Sequence, residues 1–206
     1  MQYEDQLKTN AAAMVAKGKG LLAADESAPT IAKRFDSVGV ENTEAKRREY
    51  RQLLLTTDGA EKFISGVILF DETIRQSTDD GTVFPKALKA KGIIPGIKVD
   101  MGAKDLALHE GEKVTEGLDG LRERFAEYAA LGAGFAKWRA VITIVSNDLP
   151  SEACISVNAH ALARYAALAQ EDGIVPVIEP EVLLDGDHSI ERCYEVVAQT
   201  LDELFT

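Results

Sequence analysis

Short apolar runs alternate along the chain with longer segments of helical period. The runs Gly20–Ala24, Phe63–Phe70, Ile93–Val99, Gly134–Ile144 and Ile174–Ile178 are rich in Val, Ile, Leu and aromatic residues and have Gly or Pro close by. Runs of that length are too short for helices and fit strands covered on both faces, the pattern of a parallel sheet. Between them, Thr43–Thr56 sets Tyr50, Leu53 and Leu54 on one stripe, and Leu118–Leu131 does the same with Leu118, Leu121, Phe125 and Tyr128. Ser151–Gln170 is a long Ala- and Leu-rich helix whose predicted N-cap, Ser151, follows Pro150 directly. Asp187 is placed to cap a last helix with Ile190, Cys193, Tyr194, Val197 and Leu201 on its inner face.

Five strand-then-helix units in succession predict a parallel sheet with helices packed on it. An open doubly wound sheet and a (β/α)8 barrel both satisfy that order. A doubly wound nucleotide-binding sheet carries a Gly-rich turn after its first strand, and none stands here. Lys17-Gly18-Lys19-Gly20 precedes a strand instead of opening a helix. A barrel gathers its chemistry at the C-terminal ends of its strands, where the unusual residues of this chain lie. The reading is therefore an α/β fold of the TIM-barrel kind with about the first five βα units present. It makes one domain over residues 1–206, C-terminally incomplete against eight units.

Composition narrows the partners more than the fold. With 46% apolar residues the chain can bury one good core, and no linker-like stretch, repeat or low-complexity tract divides it. A net charge of -11 argues against nucleic acid and against an anionic membrane surface. An anionic substrate would need Lys and Arg gathered locally against that global sign. The two cysteines, Cys154 and Cys193, fall on predicted helices and are expected as buried thiols in a reducing compartment. The acidic start, with no apolar run behind it, and the lack of any stretch of membrane-spanning length lead to the expectation of a soluble cytoplasmic protein.

The strand ends supply the gathered charge. Strand one ends Leu22-Ala23-Ala24-Asp25-Glu26-Ser27, strand three Gly96-Ile97-Lys98-Val99-Asp100, and strand five Val177-Ile178-Glu179-Pro180-Glu181, while strand four contains Phe135-Ala136-Lys137-Trp138-Arg139. Side chains at i and i+2 of a strand share a face. Lys98 then shares one with Asp100, Lys137 with Arg139, and Glu179 with Glu181, leaving Val99 and Trp138 to face the helices. Buried charges are costly unless paired or functional, and a single such pair is more often a structural ion pair in a barrel wall. Charges converging from four strands instead describe one polar pocket. Lys98, Lys137 and Arg139 suit a phosphate or a developing oxyanion, and Asp25, Glu179 and Glu181 suit proton transfer. A lysine amine crowded by other cations can also lose its proton and act as a nucleophile towards a carbonyl.

These blocks resemble class I fructose-bisphosphate aldolase. The likeness extends through Glu41-Asn42-Thr43-Glu44, Tyr50-Arg51-Gln52-Leu53-Leu54, Gly66-Val67-Ile68-Leu69-Phe70, Gly117-Leu118-Asp119-Gly120-Leu121, Leu162-Ala163-Arg164-Tyr165-Ala166 and Asp185-Gly186-Asp187-His188, from about residue 5 onward. The resemblance implies a (β/α)8 barrel that reversibly cleaves fructose 1,6-bisphosphate to dihydroxyacetone phosphate and glyceraldehyde 3-phosphate through a lysine imine, with no cofactor. It implies that Asp25 assists proton transfer, Lys137 stabilises developing charge, and Glu179, with Glu181 as partner, is the acid–base for imine formation. Lys98, Arg139 and Ser27 would hold the sugar phosphate, and Thr30 stands where the family has a small polar residue. Pro29, just before it, departs from the family pattern. The family's imine-forming lysine lies on its sixth strand, and no Leu-Leu-Lys-Pro-type motif occurs in these 206 residues. Little or no activity is therefore expected of this chain alone.

A metal-dependent aldolase would need clustered histidines, whereas His109, His160 and His188 fall in unrelated contexts, so no metal is expected. The bare edges of the first and fifth strands invite self-association, and a homo-oligomer is expected. The rival reading is a non-catalytic partial barrel that binds a sugar phosphate or serves as an assembly module.

Overall fold

The computed structural model describes residues 2–146 and 149–206. Helix α1 (Glu4–Met14) precedes β1 (Gly20–Ala24), α2 (Ala28–Ser37), α3 (Glu44–Thr56), β2 (Ile64–Leu69), α4 (Asp71–Ile74) and α5 (Phe84–Ala90). Then come β3 (Ile94–Lys98), the short strands β4 (Ala103–Asp105) and β5 (Lys113–Thr115), α6 (Leu121–Leu131), β6 (Phe135–Ile142), α7 (Glu152–Glu171), β7 (Val175–Val182) and α8 (Ile190–Phe205). All five predicted strands are present, paired in parallel in the order β1-β2-β3-β6-β7. The order follows the chain and never reverses. A doubly wound sheet reverses at its switch point, so this is the winding of a barrel, here a curled five-stranded part of one. Strands β4 and β5 form an antiparallel hairpin in the connection after β3.

Alternation along each strand divides the core in two. Ile97 and Val99 from β3 and the segment after it, and Ala136, Trp138 and Ala140 from β6, face the helices, where they join Leu121, Phe125, Leu162 and Tyr165 in one apolar cluster. The opposite faces of the same strands meet inside the curl. There Ile68 and Phe135 pack with Met14 from α1, and Ile94, Val175 and Val177 lie against them. Phe135 needs space that only glycine leaves: a Cβ on Gly96 would stand 2.3 Å from its ring and one on Gly66 2.8 Å. Large and small residues on neighbouring strands thus close the floor of the barrel, and α1 seals it from below.

The ends of the elements show where the chain is read correctly and where not. Thr43 and Ser151 cap α3 and α7, each accepting a bond from the backbone N–H three residues on. Ser189, not Asp187, caps α8. The inner face of α8 is Val196, Thr200 and Leu204, with Cys193 and Val197 partly covered, while Ile190 and Tyr194 are 78% and 74% exposed. That helix carries apolar residues on two stripes, and the outer one is not the one that packs. On α3 the buried residues are Arg51 and Leu55, and Leu53 is turned outward. Cys154 is buried, but Cys193 is only half-buried, contrary to expectation. Burial pushes the Cys154 thiol up to about 11, with the Glu112 charge adding to it.

Candidate active site

The interior faces of β3, β6 and β7 change character going up the curl. Along β6 the inward residues run Phe135, Lys137, Arg139, and along β7 they run Val177, Glu179, Glu181. Apolar side chains fill the lower layer and charged ones the upper layer, as the i, i+2 rule requires. Above the floor opens a cavity of about 1030 Å³ lined by Asp25, Lys98, Lys137, Arg139, Glu179 and Glu181, and by Ser27 and Thr30 as well. Every residue that the sequence singled out for chemistry therefore meets in one place. Strand β7 runs on through Pro180 to Val182, four residues past the predicted end, so Glu179 and Glu181 sit on the strand itself.

Lys137 is the hub. Its Nζ lies 3.1 Å from Glu179 Oε2 and 3.6 Å from Asp25 Oδ2, and its side chain is 15% exposed. Burial alone would lower its pKa. The charge of Asp25, the hydrogen bond and charge of Glu179, and the charge of Asp100 outweigh that and raise it. The crowding that matters here comes from carboxylates, not cations, so Lys137 stays an ammonium. A charged amine suits the stabilisation of developing charge expected of Lys137 and not the nucleophile that a lysine crowded by cations would be.

Arg139 also pairs across to β7, whereas Lys98 pairs within its own segment. Arg139 Nε donates to Glu181, a contact that raises the guanidinium pKa further. In the ladder Arg139 stands opposite Glu179 and Lys137 opposite Val177, yet each cation pairs with the carboxylate two residues higher on β7. That diagonal offset fits the stagger by which a parallel sheet curls. Lys98 Nζ donates to Asp100 Oδ1 at 2.6 Å, and Asp100, its side chain 3% exposed, also accepts from the backbone N–H of Gly102 and, more distantly at 3.4 Å, of Arg139. Asp100 is a fixed anchor for the Lys98 head. It was legible two residues after Lys98, on the same face.

Ser27 and Thr30 line the cavity at the start of α2, with their hydroxyls 3.1 Å apart. Pro29 occupies the first turn of that helix, where a missing N–H costs nothing, so the departure is accommodated without disturbing the pair. Arg34, Arg75 and Arg124 also line the cavity, and hydrophobic patterning gave no sign of them. Among the described residues no group of three or more His, Cys, Asp or Glu side chains is arranged to hold a metal ion, and no helix is long and apolar enough to cross a membrane.

A parallel strand-and-helix curl with its charged side chains gathered at the carboxyl ends of the strands defines a partial barrel of the TIM type. Comparison with known families makes this specific: the model of class I fructose-bisphosphate aldolases matches residues 6–206, and the chain belongs to that family. It is 65% identical over 201 residues to a probable class 1 fructose-bisphosphate aldolase of Xanthomonas campestris, covering 98% of this chain and 60% of that protein. It is 52% identical to the cytoplasmic isozyme of Spinacia oleracea over 97% of this chain and 56% of that one. A solved structure of the Plasmodium falciparum aldolase, there bound to TRAP and a small-molecule inhibitor, superposes with a TM-score of 0.96 at 47% identity, covering 99% of this chain and 59% of its own. The chain thus spans about three-fifths of the length of the relatives it matches.

Proposed function

We propose that these residues form the substrate-binding and proton-transfer part of a class I fructose-bisphosphate aldolase, which reversibly cleaves fructose 1,6-bisphosphate to dihydroxyacetone phosphate and glyceraldehyde 3-phosphate in the cytoplasm. The observation that carries this reading is Lys137, an ammonium held between Asp25 and Glu179 on the wall of a cavity that also receives Lys98 and Arg139.

In this reading Lys98, Arg139, Ser27 and Thr30 hold the sugar phosphate. Their charge and hydroxyl donors match phosphate oxygens in a protein that is acidic overall. Asp25 orients the hydroxyl at the bond that breaks and takes its proton. Lys137 stands beside it to balance the negative charge that develops on that oxygen. Glu179, with Glu181 next on its face, exchanges the protons needed for imine formation and hydrolysis.

An imine requires a neutral amine. Lys137 is held charged, and Lys98 is tied to Asp100, so neither serves as the nucleophile. The 206 residues alone are therefore expected to bind the sugar phosphate and turn it over little. Reduction with borohydride in the presence of dihydroxyacetone phosphate, read by intact mass, tests this. No stoichiometric adduct is expected on this chain; an adduct mapped to Lys137 or Lys98, or turnover at an ordinary aldolase rate, would overturn the assignment. A coupled cleavage assay on the intact gene product tests the aldolase reading itself.

A second reading, an assembly module, is favoured by one observation. Among the described residues β7 is paired only with β6, and beside it the outer stripe of α8 leaves Ile190, Tyr194 and Phe205 largely exposed. Sedimentation of the purified chain distinguishes a homo-oligomer from a monomer.

A further inference from the structure

We infer that the buried Glu26–Arg51 ion pair is a positioning device for the site: helix α3, which lines no part of the cavity, sets how Asp25 and Ser27 face it through Arg51. The inference rests on the reading of that cavity as a sugar-phosphate site.

The three residues from Asp25 to Ser27 belong neither to β1 nor to α2; the Ser27 carbonyl accepts the opening bond of α2 from the Ile31 N–H at 3.0 Å, and Glu26 lies before that hold begins. Something else must hold Glu26, because Asp25 and Ser27 on either side of it lie on the cavity wall. Arg51 does so twice. One guanidinium nitrogen pairs with Glu26 Oε2, and the other donates to the Glu26 backbone carbonyl at 3.1 Å. Side chain and main chain of the central residue of the turn are thus gripped by one planar fork. The Tyr50 hydroxyl donates to Glu26 Oε1 at 3.3 Å, and Arg34 from α2 pairs with the same carboxylate. Behind the turn the Tyr50 and Phe35 rings meet edge to face at 5.8 Å, joining α3 to α2.

The pair is buried on both sides, with side-chain exposures of 3% for Arg51 and 8% for Glu26. Burying an ion pair rarely stabilises more than apolar residues of the same volume would. A device that costs as much as it returns in stability, yet grips the residue between two cavity-wall side chains, is accounted for by geometry. The Glu26 carboxyl fits this. Burial pushes it up, but the Arg51 hydrogen bond and charge, with Arg34, bring it below the usual carboxylate range, so it stays ionised and bonded.

The test compares Arg51→Met, Arg51→Lys and the double variant E26Q/R51M with Arg47→Met. Arg47 lies on the same helix one turn before Arg51 and pairs with Glu72 instead of Glu26. The readouts are calorimetric binding of fructose 1,6-bisphosphate, the Lys137 titration followed by carbon NMR at its ε-methylene, and thermal unfolding. Arg51→Met should lose about tenfold to a hundredfold in affinity, as a small displacement of a positioned group does. Lys137 should titrate at lower pH as Asp25 drifts from it. Arg51→Lys should recover only part of both, since an ammonium cannot reproduce the fork. E26Q/R51M should recover the unfolding temperature without the affinity, and Arg47→Met should lose unfolding temperature alone. Should Arg51→Met fail to fold, the double variant carries the test. Wild-type affinity and an unmoved Lys137 titration in a folded Arg51 variant would overturn the inference. If the wild-type chain binds no fructose 1,6-bisphosphate, the sugar-phosphate reading falls and the Lys137 titration alone decides the positioning role.

Discussion

Phe135 and Lys137 are two residues apart on β6 and face the same interior, yet one closes an apolar floor and the other sits at the centre of a charged mouth. The floor is held by shape: Phe135 lies across Gly66 and Gly96 and against Met14 and Ile68. The mouth is held by charge, with Lys137 between Asp25 and Glu179 and Arg139 on Glu181. The difference teaches that one set of strands can carry stability at one end and chemistry at the other. The division falls where the inward side chains change type. Stability should follow the floor and ligand binding the mouth, and the two should separate under mutation.

The largest effect expected is at the floor. Phe135→Ala should cost about 3–5 kcal/mol in urea unfolding, because the cavity it leaves is walled by two strands that cannot collapse inward. Equal loss from an apolar residue on the outer face of α8 would break the comparison. Gly96→Ala should cost about 1–3 kcal/mol, since the added methyl meets the Phe135 ring and one of them must shift. Pairing it with Phe135→Leu should recover part of that cost, which sharpens the assignment to the ring.

Stability against pH should separate the two ends more finely. The Glu26 carboxyl is depressed in the folded chain, so its contribution is present above its unfolded value of about 4.3 and is lost as the pH falls through the lower folded value. Lys137 is raised, so its contribution is present below about 10.4 and is lost as the pH climbs through the higher folded value. Phe135→Ala should lower the pH–stability curve without changing its shape, whereas Lys137→Met should flatten its alkaline limb. The smallest effect belongs to neither end. Lys8→Ala removes the exposed Lys8–Glu4 pair and should change stability by less than about 0.5 kcal/mol.

Much of this arrangement was legible in the residues. The five strands stood out because they are apolar on both faces, and the i, i+2 rule put Lys98, Lys137, Arg139, Glu179 and Glu181 inward together. What patterning could not supply is the stagger between strands, which decides that Lys137 meets Glu179 and Arg139 meets Glu181. The apolar run of β7 stopped at Ile178, but the strand continues through Pro180 to Val182, because a strand that among the described residues is bonded to a neighbour on one side tolerates a proline. On α8 two apolar stripes competed, and sequence alone does not say which one meets the sheet. Arg51 was hidden for a different reason. A buried cation is invisible to hydrophobic periodicity, although its place one turn before Leu55 and three residues before Leu54 was a usable sign.

The central claim is that the gathered charges form one sugar-phosphate site with Lys137 at its hub. Calorimetric titration of fructose 1,6-bisphosphate into the wild-type chain and into Lys137→Met tests it most directly. The account predicts saturable one-site binding to the wild type, weakened at least about tenfold in the variant, the scale of losing one hydrogen bond to a charged group. Binding of equal strength to both chains would contradict it.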